Sequence, residues 1–280
     1  MEGRLLPPTP GKFQCFPRER WSEEFALAGE VPLDGIEWIY DLHGVGANPL
    51  ETEAGAERMR EFGTRHAVAV RSLCADYFMD LPFVRVSEEL RVERRDRLRW
   101  LISRCAEHGI GRVVLPFVDA SRIESPAEAD AAVKSIREVL PDAAANGVEL
   151  HLETDLGPSE FAALLARLDH PLVKVNYDAG NSAALGFRPR EEFGSYGSRV
   201  GSVHIKDRVR GGGTVALGTG DVDFGVLREC LLAIGYGGEF VLQVARGETG
   251  AEVAWARQNR RFVAEWWAAG VTSQAREWPS

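Results

Sequence analysis

Apolar runs of strand length recur along this chain, each separated from the next by a stretch long enough for a helix. That alternation constrains the fold more than any other feature. The runs are HAVAVRSLC (66–74), IGRVVLPFV (110–118), GVELHLE (147–153), LVKVNYD (172–178), GSVHIK (201–206) and EFVLQVA (239–245). Val, Ile and Leu face both ways within them, as in parallel strands covered on both sides. Between them, residues 87–108, 125–145, 159–168, 225–234 and 252–269 read as helices. Ser125 followed by Pro126 is an N-cap with proline at the first helical position, and Asp223 is placed to cap a later helix. Strands alternating with helices make βαβ units and a parallel sheet.

Such a sheet is open or closed. An open dinucleotide-binding sheet carries a glycine-rich phosphate turn after its first strand, and neither GxGxxG nor GxxxxGK occurs here. That absence and the number of units predict an α/β protein with a closed (β/α)8 TIM barrel, a single domain over residues 1–280. Its start is thin. MEGRLLPP holds too little apolar sequence for a full strand, so three expectations stand together. The first strand is short or truncated, or GKFQCFP (11–17) contributes to it, or the start codon is mis-assigned.

Composition narrows the partners. A net charge of −9 argues against a nucleic-acid binder, which needs a basic stripe to displace counterions. It leaves room for a small anion held by a few local Arg or Lys groups. No apolar run approaches the roughly 18 residues of a membrane span, and the N-terminus lacks a signal-type apolar region. Cys15, Cys74, Cys105 and Cys230 form no CxxC pair, which fits a reducing, cytoplasmic setting. A small-molecule partner is therefore expected, with neither nucleic acid nor membrane. A homo-oligomer is allowed, and Trp266 and Trp267 could cover either the barrel or a second subunit.

In a barrel, reactive groups sit where strands end. Glu153, Asp178, His204 and Gln243 each fall near the end of an apolar run, about one βα unit apart. Two carboxylates, an imidazole and an amide oxygen converging there would make a divalent-metal site. Each also has a plain structural reading: Asp178 as a cap, His204 as a rim histidine, Gln243 as nothing in particular. Further candidates are Glu37, Asp76, His151 and Lys206 as a second acid or base, with Asn181, Arg210 and Arg246 as substrate contacts. Their plain readings are Glu37 in a surface-facing turn, Asp76 as a cap, His151 facing helices and Lys206 paired with Asp207. Alternation places His151 on the same side of its strand as Glu153. The triple glycine in KDRVRGGGTVALGTGD reads either as a loop that folds over substrate or as an exposed linker.

Several phrases together resemble the xylose isomerase-like TIM barrels, the sugar-phosphate isomerase/epimerase group, over essentially the full length. They are GRLLPP, Phe16-Pro17 with Trp21, DGIEWI, VLPFVD, LET, NYDAGN, VHIKD and LGTGDVDF. The resemblance implies one divalent ion (Mn, Mg, Co or Zn) held by Glu, Asp, His and a second Glu at the ends of strands five to eight. Glu153, Asp178 and His204 match the first three, and Gln243 stands where the second Glu is expected. It further implies a carbohydrate substrate and proton abstraction next to a carbonyl, with Glu153 as base. An arginine soon after the histidine touches substrate in some relatives, and Arg210 is the nearest match.

Glutamine cannot move protons, so three outcomes are open. Gln243 ligates the metal and Glu153 acts as the only base of the pair. Another group, His151 foremost, supplies the second acid or base. Or the barrel binds sugar without turning it over. An inosose-type dehydratase would begin with the same proton removal. The endonucleases of the superfamily gather several His around zinc ions, and this chain has six His in all, few at strand ends, and no basic face.

Overall fold

Neighbouring parallel strands need a crossover between them, and helices supply it here. The computed structural model describes residues 1–274, with side chains to residue 269. The chain runs α1 (Glu23–Glu30), β1 (Gly35–Ile39), α2 (Glu53–His66), β2 (Ala69–Cys74), α3 (Tyr77–Asp80), α4 (Glu88–Glu107), β3 (Arg112–Phe117) and α5 (Pro126–Asn146). It continues through β4 (Glu149–Thr154), α6 (Pro158–Arg167), β5 (Val173–Asp178), α7 (Ala179–Leu185), α8 (Pro189–Tyr196) and β6 (Val200–Ile205). The ribbon β7 (Asp207–Arg208) and β8 (Thr214–Val215), then α9 (Phe224–Ala233), β9 (Phe240–Leu242) and α10 (Glu252–Gln274), complete it.

The helix boundaries follow local chemistry. Ser87, Ser125 and Asp223 accept from the backbone N–H groups of Leu90, Glu128 and Val226, which caps α4, α5 and α9. Gly147 ends α5 at φ 65°, a left-handed conformation that glycine adopts without cost. Leu98, Leu101 and Ile102 of α4 and Val133, Ile136 and Val139 of α5 are buried with the strand residues Val113, Leu150, Leu152 and Val173 in one apolar core. No described helix is long and apolar enough to cross a membrane.

Seven strands lie in chain order, β1-β2-β3-β4-β5-β6-β9, and every neighbouring pair is parallel. The gap between β9 and β1 is bridged by the first residues of the chain. Glu2 N–H donates to Leu242 O at 3.1 Å, and Glu37 N–H donates to Met1 O at 3.1 Å. Residues 1 and 2 thus link the two edge strands of a nearly closed barrel without forming a strand themselves. Residues 11–17 form no strand; they lend side chains to the seam.

Long-range hydrogen bonds fasten this seam. Arg4 Nε donates to Val244 O at 2.7 Å, and Arg246 donates to Leu6 O at 2.8 Å and twice to Phe13 O. The triple glycine lies at a hairpin tip: Val209 N–H donates to Gly213 O, Arg208 clasps Gly212 O, and Gly211 N–H reaches Ala184 O of α7. Trp266 packs on Phe224 and Phe240 and donates Nε1–H to Phe224 O, so it covers the barrel.

Candidate metal centre

Glu37 and His204 stand on strands that are not neighbours, yet their side chains meet, so both point into the barrel. His204 Nε2 lies 2.7 Å from Glu37 Oε1, and both side chains are fully buried. This overturns the reading of Glu37 as a surface-facing residue. Its carboxylate takes one imidazole nitrogen and thereby fixes which nitrogen faces the remaining acids.

That second nitrogen, Nδ1, lies 3.4 Å from Glu153 Oε2 and 4.0 Å from Asp178 Oδ2. One ligand atom from each of Glu153, Asp178 and His204 lies within 4.8 Å of the other two, and all three residues are buried. Neighbouring strands set this spacing. Asp178 is paired with His204 in the β5–β6 register, and Glu153 lies near the end of β4 beside them.

The two carboxylates are held differently. Asn176 Nδ2 donates to Glu153 Oε2 at 2.7 Å and Asn181 Nδ2 donates to Oε1 at 2.8 Å. Each amide is itself oriented, Asn176 by a hydrogen bond from Ser202 Oγ at 2.6 Å and Asn181 by one from Arg208 Nη1 at 2.9 Å. Asp178 caps α7 with Oδ1, which accepts from Asn181 N–H, while Oδ2 accepts from Lys206 Nζ at 2.9 Å. The cap reading of Asp178 is correct but incomplete.

The electrostatics follow from burial and proximity. Burial, then the Asp178 charge, pushes Glu153 up to about 7. Burial opposes charge on Asp178 too, but Lys206 and then His204 hold it below the usual carboxylate range. For His204, burial works against the imidazolium, and Glu37 followed by Glu153 more than offsets it, to about 10.

These donors suit a divalent cation. His204 Nδ1 is buried and makes no hydrogen bond, although it faces two acids. A bare lone pair there would be repelled; a proton or a cation at that point removes the repulsion. Gln243 adds a second such atom. Its Nε2 donates to Glu2 Oε2 at 2.6 Å, and its Oε1 is buried with no hydrogen-bond partner. Three oxygen donors and one imidazole form a hard, mixed set of the kind that binds Mg, Mn, Co or Zn.

The other candidates are placed as follows. Lys206 pairs with Asp178, not with Asp207. Asp207 instead accepts the backbone N–H groups of Gly218, Gly220 and Val222 and so shapes the LGTGDV loop. Asp76 makes no cap hydrogen bond; it accepts from Gln14 and from the Cys74 thiol. His151 does not face helices. It is fully buried between Ser202 Oγ (2.7 Å) and Glu149 Oε2 (2.8 Å), and it meets Glu153 only through Ser202 and Asn176. The Arg210 guanidinium lies against Gly186 on an exposed turn, and that of Arg246 is engaged with loop carbonyls. Glu2, Gln14, Asn176, Ser202 and Arg208 belong to the network but carry no strand-end signal, and only the fixed grouping GRLLPP hinted that the first residues matter.

Comparison with known proteins bears on the fold. Among solved structures, a xylose isomerase-like TIM-barrel protein from Mycobacterium smegmatis in complex with magnesium is 20% identical. The match covers 96% of this chain and 94% of that one, with a TM-score of 0.70. D-psicose 3-epimerase with D-tagatose, from Clostridium cellulolyticum H10, is 15% identical over 91% of this chain and 96% of that one, with a TM-score of 0.70. The IOLI protein with a binding zinc atom is 16% identical over 91% and 94%, with a TM-score of 0.74. Comparison with curated proteins finds no match. The sequence model described as xylose isomerase-like TIM barrel matches residues 25–266. With its parallel ring, its inward acids and that match, the chain belongs to the xylose isomerase-like TIM-barrel family.

Proposed function

We propose that this chain is a divalent-metal-dependent sugar or sugar-phosphate isomerase or epimerase that removes a proton next to a carbonyl, with Glu153 as the base. The observation that carries the reading is the buried trio of Glu153, Asp178 and His204 with an unpartnered Nδ1 at its centre. Solved relatives that hold zinc, magnesium or D-tagatose on the same fold support it.

Glu153, Asp178, His204 and the Gln243 oxygen would hold the ion. When bound, it polarises the substrate carbonyl and stabilises the negative charge that develops on its oxygen. The protein does the rest. Burial and the Asp178 charge favour the protonated form of Glu153, the direction that suits a carboxylate which must take up a proton. Asn176 and Asn181 hold its two oxygens, so the carboxylate meets the substrate carbon in one orientation. Glu37 keeps His204 turned with Nδ1 toward the centre. Lys206 and Asn181, beside Asp178 and Glu153, are the groups available to sugar hydroxyls or to a developing charge. Gln243 cannot serve as a second base, which favours transfer of one proton between adjacent carbons on one face, as in aldose–ketose isomerisation.

The test is exchange of the α-hydrogen of a ketose with deuterated water in the presence of Mn2+ or Mg2+. Exchange in the native chain and none in Glu153→Gln is the expected result. Exchange that survives the substitution removes Glu153 as base. A chain that takes up none of Mn, Mg, Co or Zn removes the metal reading.

A further inference from the structure

Gln243 poses a question of orientation that its neighbours answer. A side-chain amide presents an oxygen and an NH2 group, and only the oxygen holds a cation. Which one faces which way is decided by hydrogen bonding. Here the deciding group is Glu2, whose Oε2 accepts from Gln243 Nε2 at 2.6 Å within the barrel. The other Glu2 oxygen, Oε1, accepts from Gln14 Nε2 at 2.7 Å. Gln14 is in turn fixed, because Arg4 Nη1 donates to its Oε1 at 2.9 Å and its Nε2 also donates to Asp76 Oδ2 at 2.8 Å.

Glu2 Oε2 accepts from the amide NH2 group at 2.6 Å, so turning the Gln243 amide over would set oxygen against oxygen. The amide is locked, and its Oε1 is left buried without a hydrogen-bond partner. Isolating a buried carbonyl oxygen is destabilising. A cation on that oxygen removes the cost. Glu2 has both oxygens engaged by side-chain amides, Oε2 by Gln243 and Oε1 by Gln14.

We infer that Glu2 is the positioning residue of the metal centre. Its carboxylate holds the Gln243 amide with the oxygen free for the ion, and it places directly behind that ligand the negative charge a glutamate at 243 would carry itself. The inference rests on the metal reading above and adds to it a residue from the opposite end of the chain. It also accounts for the neutral residue at position 243: amide and carboxylate divide between two side chains the parts of ligand and charge.

The test is Co2+ binding by the chelated full-length chain, followed by calorimetry and visible absorption. Three forms are compared: native, Glu2→Ala, and the exchanged pair Glu2→Gln with Gln243→Glu. Loss of an outer acceptor typically weakens a metal site about 10–100-fold, and Glu2→Ala is expected to fall in that range with an altered absorption band. The exchanged pair keeps one hydrogen bond and one charge with their places reversed, and is expected to bind at least as tightly as the native chain. Unchanged affinity and an unchanged band in Glu2→Ala overturn the inference alone. A native chain that takes up no Co2+ overturns the metal reading and the inference with it. If circular dichroism finds Glu2→Ala unfolded, the exchanged pair decides: native affinity upholds the inference, and a loss of about tenfold or more overturns it.

Discussion

Two walls of the same barrel are built by different means. From β3 to β6 the strands pair in parallel ladders, with six residue pairs between β3 and β4 and one register shift at Val175–Asn176 in β5, and the side chains at their ends inherit their positions from that backbone. At the seam between β9 and β1 the backbone supplies only the bonds of residues 1 and 2. Side chains from Arg4, Gln14 and Arg246 do the fastening instead. The ladder wall carries Glu153, Asp178 and His204; the seam carries Gln243 and Glu2. The buried acids Glu153 and Asp178 with His204 thus sit on the wall positioned by backbone, and Gln243 on the wall positioned by side chains.

The contrast can be broken at several strengths. The largest effect belongs to chemistry on the ladder wall. Glu153→Gln is expected to lower the rate of α-hydrogen exchange by about 10²–10⁴, the usual contribution of a general base, while the melting temperature stays close to native. Next comes packing behind that wall, where Leu152 is fully buried. Leu152→Ala is expected to cost about 2–5 kcal/mol in urea unfolding, because the strand cannot collapse into the space left. Arg4→Met strips the seam of its bond to Val244 O and leaves Gln14 Oε1 without its donor. A loss of about 1–3 kcal/mol is expected there, together with faster amide exchange at Glu2 and Glu37 than at Leu150 and Leu152. Equal exchange on the two walls would erase the distinction. The smallest effect is remote from both: Asp223→Ala removes the α9 cap and is expected to cost about 1 kcal/mol, with metal affinity unchanged.

The ladder wall was also the legible one. Apolar runs of strand length bear their reactive residue at a repeated point, so Glu153, Asp178 and His204 could be picked out by register. The helices between them announced themselves through Ser87, Ser125 and Asp223. At the seam no such period exists. Glu2 lies in no strand pattern, and its contact with Gln243 spans 241 residues. Glu37 meets His204 across 167 residues, so nothing local distinguishes it from an ordinary strand glutamate. Lys206 and Asp207 are adjacent in sequence and were read as a pair. A strand end sends consecutive side chains to opposite sides, however, and they serve Asp178 and the LGTGDV loop respectively. Ser202 and Asn176 are small polar residues inside apolar runs, and only the structure reveals that they orient Glu153.

The link between the two edge strands has a consequence in time as well as in space. Glu2 is made 241 residues before Gln243, to which it binds. Synthesis runs at about 5–20 residues per second, so the first residues wait many seconds for their partners while the ladder strands pair with neighbours made moments before. Closing so long a loop is also the entropically most expensive contact in the ring. Glu2 and Gln243 therefore come together only after the strands that carry Glu153, Asp178 and His204 have been made.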